Sequence, residues 1–210
     1  MKVKEMARTQ LDCYNTALFN IGHTRRVNSP NETSIERQNC ETIFEQKKQS
    51  LLSMANWGFA KTVTALSLTG YTPIGWEYEY YYPANCLRAI EISRSSKFDD
   101  KIPFQRAARY DSDTGKESAV IWTNQKDASL IHIRDIQNFD IFTPQFFDTL
   151  CAYMGIDLAR VMAKQKQVVE DMKAQFSYHI SEAVRMGEVE ATDEPEMDAN
   201  WIREAYGITE

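Results

Sequence analysis

The sequence predicts an α+β protein in which a helical bundle, built from an N-terminal helix pair and long C-terminal helices, carries a small antiparallel β-rich insertion and an extended C-terminal tail. Three observations predict it. Apolar residues recur at spacings of three and four before residue 57 and again after residue 143. From Gly75 to Tyr82 aromatic and acidic residues alternate at period two. Beyond Gly187 acidic residues displace the apolar ones. The predicted helices occupy about 7–22, 33–56 and 144–187, and the β-rich part about 75–134. A single domain is expected over 1–187, with the tail at 188–210.

In the first helix Leu11, Tyr14, Leu18 and Ile21 share one face, and Gly22 supplies a residue able to close it in the left-handed conformation. His23 to Thr33 has turn formers and no period, so it reads as a loop. Thr33 and Glu36 have capping-box spacing and start the second helix. Its apolar marks are Cys40, Ile43, Phe44, Leu51 and Met54, interrupted by the polar run Gln46 to Ser50. It closes near Asn56 to Gly58, with Trp57 and Phe59 packed where the chain turns.

In the strand from Gly75 to Tyr82, Trp76, Tyr78, Tyr80 and Tyr82 oppose Glu77, Glu79 and Tyr81, the signature of a half-buried strand ended by Pro83. Shorter strands follow at Leu87 to Ile92, Phe104 to Arg109, Ala119 to Thr123 and Leu130 to Ile133, and Asp111 to Lys116 reads as a hairpin turn. Thr143-Pro144 then combines a capping hydroxyl with a proline suited to the first helical turn. Phe147, Leu150, Met154, Leu158 and Val161 repeat at helical spacing, as do Val168, Met172, Phe176 and Ile180. Lys164 to Gln167 between them offers no apolar anchor, and fits either a tight turn between two helices or one long surface helix.

Composition bounds the function. A formal net charge of -6 argues against a protein that wraps nucleic acid by neutralising phosphates. The N-terminal residues lack the apolar stretch of a signal peptide, and no run approaches the length of a membrane span, so neither secretion by the general route nor a membrane partner is expected. Cys13, Cys40, Cys86 and Cys151 form no CxxC pair, which leaves reduced thiols as the default. Cys13 and Cys40 fall in apolar helical patterns, where cysteine acts as a small hydrophobe.

Motifs for chemistry are absent. His23, His132 and His179 are far apart and no metal-ligand spacing occurs, and no phosphate loop, GxSxG or GxGxxG is present, so no cofactor, no metal and no catalytic residue is expected. Glu77 and Glu79 point to the same side of a strand, and paired carboxylates can in principle run glycoside hydrolysis, but Glu alternating with aromatics describes a solvated face better. Arg25 and Arg26 can grip a phosphate; a solvated turn or a salt bridge at a subunit contact accounts for them more simply. In the tail, Trp201, Ile202 and Tyr206 follow an acidic linker, cannot bury one another locally, and are the candidate partner-binding residues.

Taken in order, several stretches resemble the tail tubular protein A or head-to-tail adaptor family of podoviruses and related prophages. They are Ala17-Leu-Phe-Asn-Ile-Gly22, Trp57-Gly-Phe-Ala60, Gly75-Trp-Glu-Tyr-Glu-Tyr-Tyr-Tyr-Pro-Ala-Asn-Cys-Leu-Arg88, Ala128-Ser-Leu-Ile-His-Ile-Arg134 and Phe142-Thr-Pro-Gln-Phe-Phe-Asp148. The likeness spans most of the chain and departs at Lys164 to Gln167, where relatives often carry Pro or Gly.

The resemblance implies a structural virion protein, made in the host cytoplasm and placed in the neck, rather than an enzyme. It implies a dodecameric homo-oligomer ring below the portal protein, seated on the tail nozzle protein, with DNA passing through its channel without specific binding. By the same resemblance the tail with Trp201, Ile202 and Tyr206 faces the portal. An alternative reading makes the chain a tail-associated peptidoglycan hydrolase with Glu77 or Glu79 as acid.

Overall fold

A computed structural model describes residues 8–93, 100–111 and 115–190. It is a mixed α/β protein whose described residues form four α-helices and two small antiparallel three-stranded sheets. These divide into two compact units: one takes the chain up to Phe59 and from Ile136 onward, the other Ala60–Asp135.

The first unit is helical. Helix α1 (Gln10–Asn20) begins where Thr9 caps it: the Thr9 hydroxyl accepts from the Asp12 amide and the Asp12 carboxylate accepts from the Thr9 amide. It ends as anticipated at Gly22, whose φ of +74° lets the His23 amide donate to Leu18 O and the Gly22 amide to Phe19 O. Helix α2 (Ile35–Met54) is capped by Ser34, whose hydroxyl accepts from the Arg37 amide, so the expected Thr33–Glu36 box does not form. With Ile35 as the first helical residue, Glu36 sits one position too early to reach back, and its carboxylate turns elsewhere.

Helix α3 (Pro144–Leu158) starts as read, with the Thr143 hydroxyl accepting from the Phe146 amide and Pro144 in the first turn. Thr149, Leu150, Cys151, Ala152, Met154 and Leu158 are all buried, because α3 is central and packs on α1, α2 and α4. The Lys164 question resolves as a turn between two helices. A wide π-type turn, Ala159–Ala163, ends at Lys164 in the left-handed region (φ 53°), with its amide donating to Ala159 O. The single span at 144–187 is therefore two helices, and Val161 is exposed instead of carrying on the apolar face.

Helix α4 (Lys166–Glu190) runs back antiparallel along α3: Phe176 stacks on Tyr153 at 4.6 Å, and a Cβ at Gly155 would lie 2.8 Å from Met172 Sδ. It extends three residues into the stretch assigned to the tail, whose remainder lies outside the described residues. An aromatic chain completes this core, from Tyr14 through Phe44, Phe139, Phe142 and Phe146 to Trp57, each neighbour within 5.8 Å. Such contacts add about 0.5–1.5 kcal/mol each beyond area burial. Trp57 also donates its indole N–H to Leu51 O at 2.8 Å.

The second unit is all β. One sheet has the order β1 (Lys61–Ala65), β6 (Ser129–Arg134), β3 (Cys86–Ile92); the other has β2 (Tyr78–Tyr81), β5 (Lys116–Thr123), β4 (Phe104–Asp111). The four shorter strands were read to within a few residues. Strand β1 was not anticipated, and the aromatic strand is shorter than the eight residues read at 75–82. Gly75 takes φ +83° and the Trp76 amide donates to Pro73 O, which makes that end a turn.

After β1 the chain changes sheets. The Leu66 amide still donates to Ala128 O, but the Tyr81 amide donates to Ser67 O and the Thr69 amide to Glu79 O, so residues 67–69 run beside β2. The sheets share a core of Tyr80, Ile92, Ile121, Ala128 and Leu130. Tyr80 buries its ring there and donates its hydroxyl proton to Gln125 O at 2.9 Å, which pins the β5–β6 turn.

Candidate functional site

A concave surface lies on the helical unit, where α1 gives way to the loop 22–27. It encloses about 580 Å³ and is lined by Asp12, Asn15, Thr16, Phe19, Gly22, His23, Thr24, Arg25 and Arg26. Local chemistry fixes its wall. The Gly22 turn reverses the chain, and Asn15 then pairs with Val27 on both sides: Asn15 Nδ2 donates to Val27 O at 2.9 Å, and the Val27 amide donates to Asn15 Oδ1 at 2.8 Å. Val27 itself is buried and anchors the loop.

Glu36 holds the loop from α2. Its carboxylate, 4% exposed, takes His23 Nε2 at 3.1 Å and faces Arg25 Nε at 3.7 Å. Burial alone would raise its pKa; its own backbone amide, His23 and Arg25 outweigh that and hold it below the usual value. The contact with Arg25 is worth at most about 1 kcal/mol, since that side chain is mostly in water.

Above this scaffold the surface presents an apolar and a cationic part. Phe19 is 77% exposed, although Leu18 beside it is buried. Arg26 is exposed and makes no ion pair among the described residues. A ring of this size left in water beside two guanidinium groups matches the composition of protein contact surfaces, where aromatics and arginine are enriched. Sequence reasoning weighed Arg25 and Arg26 but missed Phe19. The signal was there: Phe19 breaks the face set by Leu11, Tyr14, Leu18 and Ile21.

The two carboxylates weighed for chemistry have different surroundings. Glu77 is exposed, with its amide donating to Asn124 Oδ1. Glu79 corrects the solvated-face reading, because it has 0% exposure. Its carboxylate accepts from Thr69 Oγ1 at 2.7 Å, Trp122 Nε1 at 2.8 Å and Arg109 at 3.3 Å. The alternation that suggested solvent was real, but residues 67–69 and Trp122 cover the acidic side of β2.

The histidines stay apart: His23 is on the loop just described, His132 is buried in β6 beside Thr64 Oγ1, and His179 lies on α4 against Tyr178. Among the described residues no group of three His, Cys, Asp or Glu could hold a metal ion, and no helix is long and apolar enough to cross a membrane. Trp201, Ile202 and Tyr206 lie outside the described residues.

No protein-family model matches the chain, and no curated protein matches it.

Proposed function

We propose that the chain is a structural subunit of a ring that joins a phage portal to its tail, with DNA passing through the centre. The observation that carries the reading is the rigidly backed patch of Phe19, Arg25 and Arg26 on a chain of net charge -6. A head-to-tail ring needs two different patches that fit each other. A cationic, aromatic patch on an otherwise acidic molecule is complementary to the rest of an identical copy. The finer architecture belongs to the same proposal: the helical bundle forms the lateral walls, and the C-terminal tail with Trp201, Ile202 and Tyr206 reaches the portal.

The sequence likeness supports the assignment, as does the state of Glu79. With every oxygen of its carboxylate engaged and no solvent contact, it is poorly placed to protonate a glycosidic oxygen. A hydrolase reading would then have to rest on Glu77, which is exposed.

The test is assembly. Purified chain mixed with the portal ring of the phage that encodes it is expected to join in a fixed ratio, seen as added density by negative-stain electron microscopy. Phe19→Asp with Arg26→Glu is expected to abolish the closed ring while leaving the circular dichroism spectrum unchanged. Gold-labelled copies found anywhere but the neck of intact particles would sink the proposal.

A further inference from the structure

The helical core contains a pair of reactive groups that assembly does not use. Cys13 on α1 and Cys151 on α3 stand with their sulfurs 3.5 Å apart, both at 0% exposure and both free thiols. Cys151 Sγ lies 3.7 Å from Cys13 O, and Cys13 Sγ lies 3.6 Å from Met154 Sδ. Helices α1 and α3 pack against each other, and the small residues Ala17 on α1 and Ala152 on α3 are buried with the pair.

We propose that Cys13 and Cys151 are an oxidisable dithiol that closes to an intramolecular disulfide, tying α1 to α3. The sulfurs must draw in from 3.5 Å to about 2.05 Å, a rotamer-scale movement. With a hydroperoxide as oxidant the balance is simple. One thiol attacks the peroxide oxygen, the O–O bond breaks, and a sulfenic acid and one water (or alcohol) form. The second thiol attacks the sulfenic sulfur, the S–S bond forms, and the sulfenic oxygen leaves as water. Two thiols lose two electrons and two protons, and the peroxide takes up both.

The environment sets the rate. The hydrogen bond with Cys151, then burial, then the nearby Cys151, Cys40 and Asp12 hold the Cys13 thiol well above its ordinary pKa. Thiolate is the reactive form, so the closed core resists oxidant: one thiol is oxidised when α1 opens from α3, and the S–S bond forms as the helices close again and bring the second sulfur back. Once formed, it closes a loop that contains the whole β unit, residues 60–135. A chain cut anywhere between 13 and 151 then stays in one covalent piece.

The experiment uses the full chain, incubated with hydrogen peroxide across a series of sub-denaturing urea concentrations. Oxidant is then removed, the chain is fully denatured without reductant, remaining thiols are alkylated, and disulfide-linked peptides are mapped by mass spectrometry. Two of the four cysteines are expected to become unreactive to alkylation, the Cys13 and Cys151 peptides to be linked, and the rate to rise severalfold with urea. Partial proteolysis of the oxidised chain between the two residues is expected to give fragments that separate on a gel only after reduction. The double variant Cys40→Ser, Cys86→Ser is expected to keep the cross-link, and either Cys151→Ser or Cys13→Ala to lose it. Four alkylatable cysteines throughout the series, a link from Cys13 to Cys40, or higher oxidation of a single sulfur would each overturn the proposal.

Discussion

Removing the Glu79 carboxylate tests the account of the β unit most directly. In Glu79→Ala three donors lose their acceptor at once: Thr69 Oγ1, Trp122 Nε1 and Arg109. Hydrogen bonds to a charged group contribute about 1.5–3 kcal/mol each, and breaking a buried ion pair costs about 3–5 kcal/mol when the surviving charge is stranded. Arg109 is not stranded, since its side chain is 26% exposed and regains water. Trp122 is half-buried and keeps part of its hydration, so the loss settles at about 3 kcal/mol, near the foot of that range. Glu79→Gln keeps an oxygen for Trp122 but turns an amide toward the guanidinium, and costs about 1–2 kcal/mol.

Urea unfolding followed by far-ultraviolet circular dichroism and by tryptophan fluorescence reads both values. A double-mutant cycle with Arg109→Met is expected to give a coupling under about 1 kcal/mol, as partial exposure screens the pair. If Glu79→Ala unfolds within about 0.5 kcal/mol of the unaltered chain, the carboxylate does not hold β2 to its neighbours and the reasoning fails.

Three further outcomes follow from the helical unit. Ser34→Ala is expected to cost about 1 kcal/mol in urea unfolding and Thr33→Ala close to nothing, because Ser34 holds the cap of α2; the reverse order would restore the box read from sequence. The Glu36 carboxyl, lowered in the folded chain from an ordinary 4.5, adds stability above that pH and loses it as acid protonates the folded form. Melting curves of Glu36→Gln are therefore expected to fall below those of the unaltered chain at pH 7 and to draw together with them as acidification below 4.5 protonates the folded carboxylate. Gly155→Val is expected to destabilise by about 2–3 kcal/mol, since the Cβ alone would lie 2.8 Å from the buried Met172 sulfur and the added methyl groups increase the crowding; calorimetry showing no loss would mean that α3 and α4 are not packed as described.

Periodicity made the helices and the short strands readable, because each has one buried face and one wet face. It failed where that assumption failed. Strand β1 went unread because Lys61, Val63 and Ala65 are exposed and Thr62 and Thr64 are only half-buried, so it has no apolar face to detect. It is an edge strand held by its backbone ladder to β6, and a ladder leaves little mark on composition. At Lys164 the sequence left two options open, and the decision came from packing: a single straight helix would have carried Met172, Phe176 and Ile180 away from α3, leaving both apolar faces in water.

The same limit explains the functional residues, and charge is where it acts. Glu36 was assigned to capping and Glu79 to solvent on residue type, Lys48 stood in a run read only as polar, and all three are buried. Residue type predicts that a charge is costly to bury; it does not reveal whether a partner waits in a segment distant in sequence. Glu79 is met by Trp122 and Arg109, Glu36 by His23 and Arg25, and Lys48 by Gln137 and the nearer Glu45. Buried charges were thus invisible as such, whereas Phe19 was visible and overlooked, since a large ring on the wrong side of an amphipathic helix needs no partner to be noticed. Among the described residues Phe19 and Arg26 are two exposed side chains for which the fold supplies no partner, and under the proposed assembly contact with another copy would supply one.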